Sequence, residues 1–317
     1  MKRIAVIDCG TNTFNLGIYT VYPTFSAIHK QKTLVKLGKD LNTNKIISED
    51  ACQRAIDTFK KFHKIISDYS CEKIIAIGTS AFRDSKNGKE LVKKIVEETG
   101  IFIEIIDGER EAELIAGGIR FVMKNISHTS LVLDIGGGSN ECILLNNTEI
   151  FWKKSYPLGI GRLLGEKPHS SPIVKEEITY FENLFIKGME ETWEVCKKFH
   201  PVQLIGASGA FDSVWDMADA YFAKDLAKIN SNKNQEHYIK ISPDIFYKLY
   251  DLIITSTREE RNRIKGLSQL RREMIVLSFI LIDIVFRYSG CKEIICCSAS
   301  LKEGVLNDIL KNWEGCH

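Results

Sequence analysis

The chain has 317 residues, 44% of them hydrophobic and 26% charged, with only 6 prolines; this excludes a disordered or low-complexity protein and supplies apolar material for two cores. Forty-three Lys and Arg against 41 Asp and Glu leave a net charge of +2, too flat a balance to hold a polyanion by bulk charge, so any anion site must be local. The 9 cysteines are scattered, with no C-x-x-C pair and no His at zinc-ligand spacing, and read as reduced small hydrophobes. In chain order, residues 4–8 are an apolar run that ends on an acid, which leaves no room for a secretory leader and predicts a cytoplasmic protein. Residues 14–21 and 26–37 continue as strands of a meander. Ser48, followed by Glu49 and Asp50, caps a helix whose apolar positions Ala55, Ile56, Phe59, Phe62, Ile65 and Ile66 keep helical spacing up to Tyr69. Residues 73–77 are a strand, 88–98 a helix closed by Gly100, and 102–106 another strand.

The pattern then starts again. Residues 131–134 and 141–145 are strands around Gly136-Gly137-Gly138-Ser139, and Asp8-Cys9-Gly10-Thr11-Asn12-Thr13 aligns with Asp134-Ile135-Gly136-Gly137-Gly138-Ser139. The repeat predicts an α/β protein with a duplicated fold, divided into residues 1–125 and 126–317, the last helix packing back on the first domain. Strands at 203–206 and 293–297 run into Ala207-Ser208-Gly209-Ala210 and Ser298-Ala299-Ser300, as 74–77 runs into Gly78-Thr79-Ser80-Ala81. A strand, small or hydroxyl residues, then a helix start is an anion-binding arrangement. Helices are expected at 176–200, 243–256 and 267–288, and a polar loop at 230–236. Residues 274–286 are apolar but broken by Asp283 and too short for a bilayer, so they read as a buried core helix with no membrane role.

Two turns that each start on an Asp and expose Gly, Thr and Ser would, brought face to face, make a cleft of backbone donors closed by carboxylates. That suits phosphate with a divalent metal, Asp8, Asp134 and Glu141 supplying hard oxygens. A single copy would read better as a tight hairpin with an Asx-type bond, and the second copy together with the GASGA turn reverses that preference. Lysine pairs such as Lys60-Lys61 and the 258–265 run read as solvated segments, and no nucleic-acid motif is present.

The succession IDCGTNTFNLGIY, GTSAFRDSKNG, IDGEREAELIAGGI, LDIGGGSNECIL, SYPLGIGRL, GASGA and CSASLKEGVL resembles the exopolyphosphatase/pentaphosphate phosphohydrolase family over nearly the whole chain. The resemblance implies an actin-like (ribonuclease H-like) duplicated fold with the active site between two domains. It also implies hydrolysis of terminal phosphoanhydrides with Mg²⁺ (or Mn²⁺), acting on inorganic polyphosphate or on pppGpp. By position, Glu111 matches the general base. Its place in the first turn of a helix starting near Gly108 would lower its pKa, and burial would oppose that. Asp8, Gly10, Thr11, Asn12 and Thr13 match the first phosphate and metal motif, and Asp134, Gly136, Gly137, Gly138, Ser139 and Glu141 the second. Ser208 and Gly209 belong to the third turn. Arg83 matches a phosphate-clamping Arg, its alternative being a surface pair with Asp84, and Arg271 a substrate Arg whose register competes with Arg272.

Two positions depart from the family pattern. Glu113 replaces an Arg, which would remove an ion pair, and Asn15 stands where several members carry a basic residue facing substrate. The chain also lacks the longer members' C-terminal helical extension, which argues against processivity. Three alternatives stay open: pppGpp 5′-phosphohydrolase, an actin-like sugar or acetate kinase, and a non-catalytic sensor of (p)ppGpp or polyphosphate. A homodimer is also open.

Overall fold

The computed structural model describes residues 2–22, 26–230 and 237–314. Strands β1 (Lys2–Cys9), β2 (Thr13–Tyr22) and β3 (Ser26–Leu34) form an antiparallel meander. A 3₁₀ turn at Leu37–Asp40 and the short α1 (Leu41–Asn44) lead into α2 (Glu49–Asp68), where Ser48 Oγ accepts from Ala51 N–H. Then follow β4 (Lys73–Gly78), α3 (Ser80–Asp84), α4 (Gly88–Thr99), β5 (Ile103–Ile105) and α5 (Gly108–Met123). The second half opens with β6 (Ser130–Ile135), β7 (Asn140–Leu145) and β8 (Ile150–Tyr156), again an antiparallel meander. It continues through α6 (Ile160–Glu166), α7 (Lys175–Gly188), α8 (Glu190–Phe199), β9 (Gln203–Ala207), α9 (Ala210–Ile229), β10 (Tyr238–Ile241), α10 (Pro243–Thr255), α11 (Arg258–Arg261), α12 (Ile275–Ser289), β11 (Glu293–Cys297) and α13 (Leu301–Glu314).

The first sheet runs β3-β2-β1-β4-β5 and the second β8-β7-β6-β9-β11, with β10 added antiparallel at its edge. Both place a parallel pair beside the first strand of the meander, β1 with β4 and β6 with β9. The fold is therefore the actin-like, ribonuclease H-like α/β arrangement used twice. Each sheet covers one face with its own helices: Phe14, Phe59, Phe62 and Phe82 pack under the first, and Phe181, Phe185, Phe211, Phe246 and Phe279 under the second. A third core lies between the sheets, built on α5 and α13.

Three expectations need correction. The helix expected over 176–200 is broken at Met189 into α7 and α8. The helix expected from 267 begins only at Ile275, the preceding residues forming turns. The 258–265 run is not wholly solvated, because Arg261 is only 4% exposed and donates from Nη1 to Ser256 O at 2.7 Å. Strands β8 and β10, at the two edges of the second sheet, add to the expected elements; consecutive Lys153 and Lys154 break the apolar alternation in β8, and β10 alternates but is only four residues long. Of the polar loop at 230–236, all but Asn230 lies outside the described residues. Among the described residues no helix is long and apolar enough to cross a membrane.

Helices α5 and α13 cross where both carry glycine. A Cβ on Gly304 would fall inside the contact distance of the Leu114 carbonyl, and one on Gly118 would meet the Gly304 nitrogen at 2.9 Å. At Gly117 a Cβ would find its nearest atom at an ordinary 3.5 Å. Overpacking a fixed backbone contact costs about 1–3 kcal/mol, whereas alanine in an open helical position gains up to ~1 kcal/mol over glycine. Gly304→Ala is therefore expected to lower the unfolding midpoint by several degrees and Gly117→Ala to leave it equal or higher, by differential scanning calorimetry. Equal midpoints for the two variants would show that the helices do not touch at Gly304.

Candidate active site

Hairpins β1–β2 and β6–β7 end facing each other between the halves. They close alike, Gly10 N–H donating to Thr13 O at 3.1 Å and Gly136 N–H to Ser139 O at 3.0 Å. Strand pairing sets Asp8 opposite Asn15 and Asp134 opposite Glu141, the same register twice. Most turn carbonyls are engaged: Thr11 O by Gly38, Asn12 O by Val35 and Lys36, and Gly136, Gly137 and Gly138 O by Ile160, Arg162 and Gly159. The turn amides are not. Among the described residues the N–H groups of Thr11, Asn12, Gly137 and Gly138 have no hydrogen-bond partner. Such runs of free donors make a concavity for an anion. A Cβ on Gly138 would stand 2.6 Å from Thr11 Oγ1, so glycine is what lets the two turns approach.

Four carboxylates close this cleft: Asp8, Asp134 and Glu141 from strand ends and Glu111 from the first turn of α5. Asp107 caps α5 by accepting from Arg110 N–H at 2.7 Å, which aims Glu111 inward, where it is 8% exposed. Its Oε2 accepts from Arg83 Nη1 at 3.0 Å. Between helix terminus and burial, burial wins. It pushes Glu111 well above the usual carboxylate range, the neighbouring Glu141 charge adds to it, and Arg83 only partly opposes it. Burial, then the charges of Glu141 and Asp8, raise Asp134 to about 8. Asp8 and Glu141 are raised by burial as well, Glu141 being held back by hydrogen bonds from Ser155, at 2.7 Å, and Ser139.

Thr13 and Gly10 also line the cleft. Arg271 reaches it from the turns before α12, with its guanidinium 3.5 Å from where a Gly209 Cβ would be and within electrostatic reach of Asp212 and Asp134. Those turns settle the register, because Arg272 points away and donates to Asn262 Oδ1 at 3.1 Å and Asn262 O at 3.2 Å. Gly209 has φ +58°, a conformation that glycine adopts without strain. The Ser208 hydroxyl is engaged by Asp212 Oδ2 at 2.9 Å, and the Asn12 side-chain amide crosses the cleft to Met274 Sδ at 3.4 Å. Arg83 stands behind Glu111 rather than among the glycine turns. It also donates to Ile106 O at 3.1 Å and faces Asp84 at 3.5 Å, so its free form is neither the open clamp nor the simple surface pair. Asp84 in turn accepts from Ser80 at 3.0 Å and from Arg162 of the second half, tying the halves together behind the cleft.

The acid at Glu113 does not leave a gap. It pairs with Lys153 of β8 and with Arg110 at 3.2 Å, so the ion pair is rebuilt with reversed sign. Lys32, Thr79, Ser80, Met274, Ser300 and Lys302 complete the lining and had no assigned role. Thr79, Ser80 and Ser300 follow strands in the small-residue turns already singled out. Lys32 sits in a polar, solvated strand that offers no signal of its own.

Among the described residues no three His, Cys, Asp or Glu side chains converge as a self-sufficient metal site. Asp8 and Asp134 are nevertheless half-buried cleft carboxylates with no ion pair to any cation among the described residues, and the Asp8 charge helps to raise Asp134. One or two such carboxylates fit Mg²⁺, which keeps water and phosphate oxygens in its shell, better than they fit a closed transition-metal site.

A family model described as the Ppx/GppA phosphatase family matches residues 18–313. A bifunctional 3-dehydroquinate synthase/phosphatase of Fusobacterium nucleatum is 31% identical over 98% of this chain, which spans only 46% of that relative's length. Exopolyphosphatase 1 of Mycobacterium tuberculosis is 25% identical, over 96% of this chain and 87% of its own. The crystal structure of an exopolyphosphatase from Cytophaga hutchinsonii is 36% identical and superimposes with a TM-score of 0.92 over 98% of both chains. The Aquifex aeolicus Ppx/GppA family member, 23% identical over 98% of both chains, shares the fold with a TM-score of 0.78.

Proposed function

The chain belongs to the Ppx/GppA phosphatase family, and from that premise we propose that it is an exopolyphosphatase, releasing orthophosphate from the end of inorganic polyphosphate. The observation that carries the reading is the set of unpartnered amides on Thr11, Asn12, Gly137 and Gly138, facing buried Glu111 across one cleft. The amides bind the oxygens of the terminal phosphoryl group, and Arg271 adds a permanent positive charge as negative charge shifts in the transition state. Glu111 orients a water in line with the bond to the leaving phosphate and takes its proton as the phosphorus–oxygen bond breaks. Arg83 fixes the Glu111 carboxylate from behind and limits its rise in pKa. Asp8 and Asp134, with Glu141 beside them, would hold Mg²⁺ (or Mn²⁺), and the ion would supply charge neutralisation of the phosphate oxygens.

A second reading has its own support. A cavity of about 640 Å³ adjoins the cleft, sharing Thr11, Asn12, Gly137 and Met274 with it, and its wall combines Leu164, Pro168 and His169 with Arg258 and Arg261. Apolar surface beside guanidinium groups would take a nucleoside, which favours pppGpp as the alternative substrate. Orthophosphate release by the purified protein with Mg²⁺, from long polyphosphate, tripolyphosphate and pppGpp side by side, separates the cases. Release from polyphosphate is expected. A clear preference for pppGpp would replace the first reading by the second, and binding without release from any of the three would make the protein a sensor.

A further inference from the structure

Three strands carry one row of side chains across the first sheet: Asp8 on β1 pairs with Asn15 on β2, and Asn15 pairs with Lys32 on β3. The duplicated half carries the matching row, Asp134, Glu141 and Ser155 on β6, β7 and β8. Directly paired residues of antiparallel strands project to the same face, so each row presents its members to the cleft together. In the second row the last member is used internally, Ser155 Oγ donating to Glu141 at 2.7 Å. In the first row Asn15 Nδ2 donates to Asp8 Oδ2 at 3.1 Å and leaves Lys32 over.

Lys32 lines the cleft, yet among the described residues its ammonium has neither a hydrogen bond nor an ion pair. Cations outside the cleft lining, Lys36, Arg83, Lys153 and Arg162, each reach a carboxylate, whereas Arg271 and Lys302, which line it with Lys32, form no ion pair among the described residues. Lys32 also stands within electrostatic reach of Arg271 and Lys302; the charges of Asp212 and Asp8 offset this repulsion only in part, and an anion among the three cations would relieve the rest. Although Lys32 keeps solvent contact, loss of hydration around its ammonium, followed by the Arg271 charge, lowers its pKa to about 8.

We propose that Lys32 is a substrate-binding residue that holds non-bridging oxygens of the phosphate chain at the cleft, supplying from β3 the positive charge that Asn15 cannot supply from β2. The inference rests on the phosphohydrolase reading above. Titration calorimetry of tripolyphosphate with Mg²⁺ tests it on the full chain, using Lys32→Met, Lys32→Arg and Lys32→Met combined with Asn15→Lys. Loss of one charge-assisted contact should weaken binding about 10- to 100-fold in Lys32→Met and flatten its salt dependence. Lys32→Arg should bind within about 3-fold of wild type, and the double variant should regain at least half the lost factor on a logarithmic scale. Binding by Lys32→Met within about 2-fold of wild type would overturn the assignment, as would Lys32→Arg being equally weak or the double variant gaining nothing. If wild type binds tripolyphosphate and Lys32→Met does not, but no orthophosphate is released, the hydrolase reading fails and the Lys32 assignment stands. Absence of binding by wild type would overturn both.

Discussion

Glu111→Gln should leave tripolyphosphate binding within a few-fold of wild type while lowering turnover by roughly 10² to 10⁴, the usual worth of a positioned general base. The substitution is nearly isosteric, and its amide oxygen can still accept from Arg83 Nη1, so the cleft should keep its shape. What it loses is the ability to take a proton. The wild-type rate profile should carry the matching signature. Burial and the adjacent Glu141 charge hold Glu111 protonated to a higher pH than an ordinary carboxylate, so the acid limb of turnover should lie well above the 4–5 region and fall as pH drops through it. Steady-state rates across pH, together with calorimetric binding of both proteins, check the two halves of the expectation. A Glu111→Gln enzyme turning over within 10-fold of wild type would remove the base from Glu111.

Asp134→Asn should abolish orthophosphate release and at the same time make the protein more stable. Asp134 is half-buried in the cleft with its folded-state pKa raised from 3.8 to about 8 by loss of hydration, and Asp8, Glu111 and Glu141 are displaced in the same direction. A carboxyl whose folded pKa is raised is equally protonated in both states at very low pH, so it carries no penalty there. As pH rises past about 4 the unfolded chain ionises first, and stability is lost progressively until the folded group ionises too, near 8 for Asp134. Wild type should therefore lose stability between about pH 4 and 8 from these groups, and Asp134→Asn should lose less. At pH 7.5 without Mg²⁺ we expect the variant's unfolding midpoint to lie about 2–6 °C higher. Added Mg²⁺ should raise wild type and narrow the difference, since a ligand of the folded state stabilises it. Scanning calorimetry at several pH values decides it, and a lower midpoint for Asp134→Asn at pH 7.5 would show that its charge is compensated within the protein.

The fold was legible because its signals are local and repeated. The alignment of Asp8 to Thr13 with Asp134 to Ser139 needs only residue types and spacing, and it leads to two meanders with one strand order. The Ser48 cap and the Gly100 terminator are short-range interactions that a sequence window contains, and both are present. The residues that escaped depend on pairing across distance. Lys32 is ordinary in its own strand and becomes part of the cleft only through register with Asn15. Arg271 could not be chosen over Arg272 until the turns before α12 were known, because a helix starting earlier would have turned a different side chain inward. Glu113 looked like a lost ion pair because its partner, Lys153, comes from the other half of the chain.

The glycine crossing of α5 and α13 makes the position of the base a question of leverage. Glu111 lies seven residues before Gly118 on the same helix, about 10 Å along its axis at 1.5 Å per residue. With the crossing as fulcrum, tilting α5 by about 6° moves the Glu111 carboxylate about 1 Å, enough to reduce catalysis on the order of 100-fold. A methyl group added at Gly304, on the helix behind the cleft, would therefore register in the rate as well as in the melting curve.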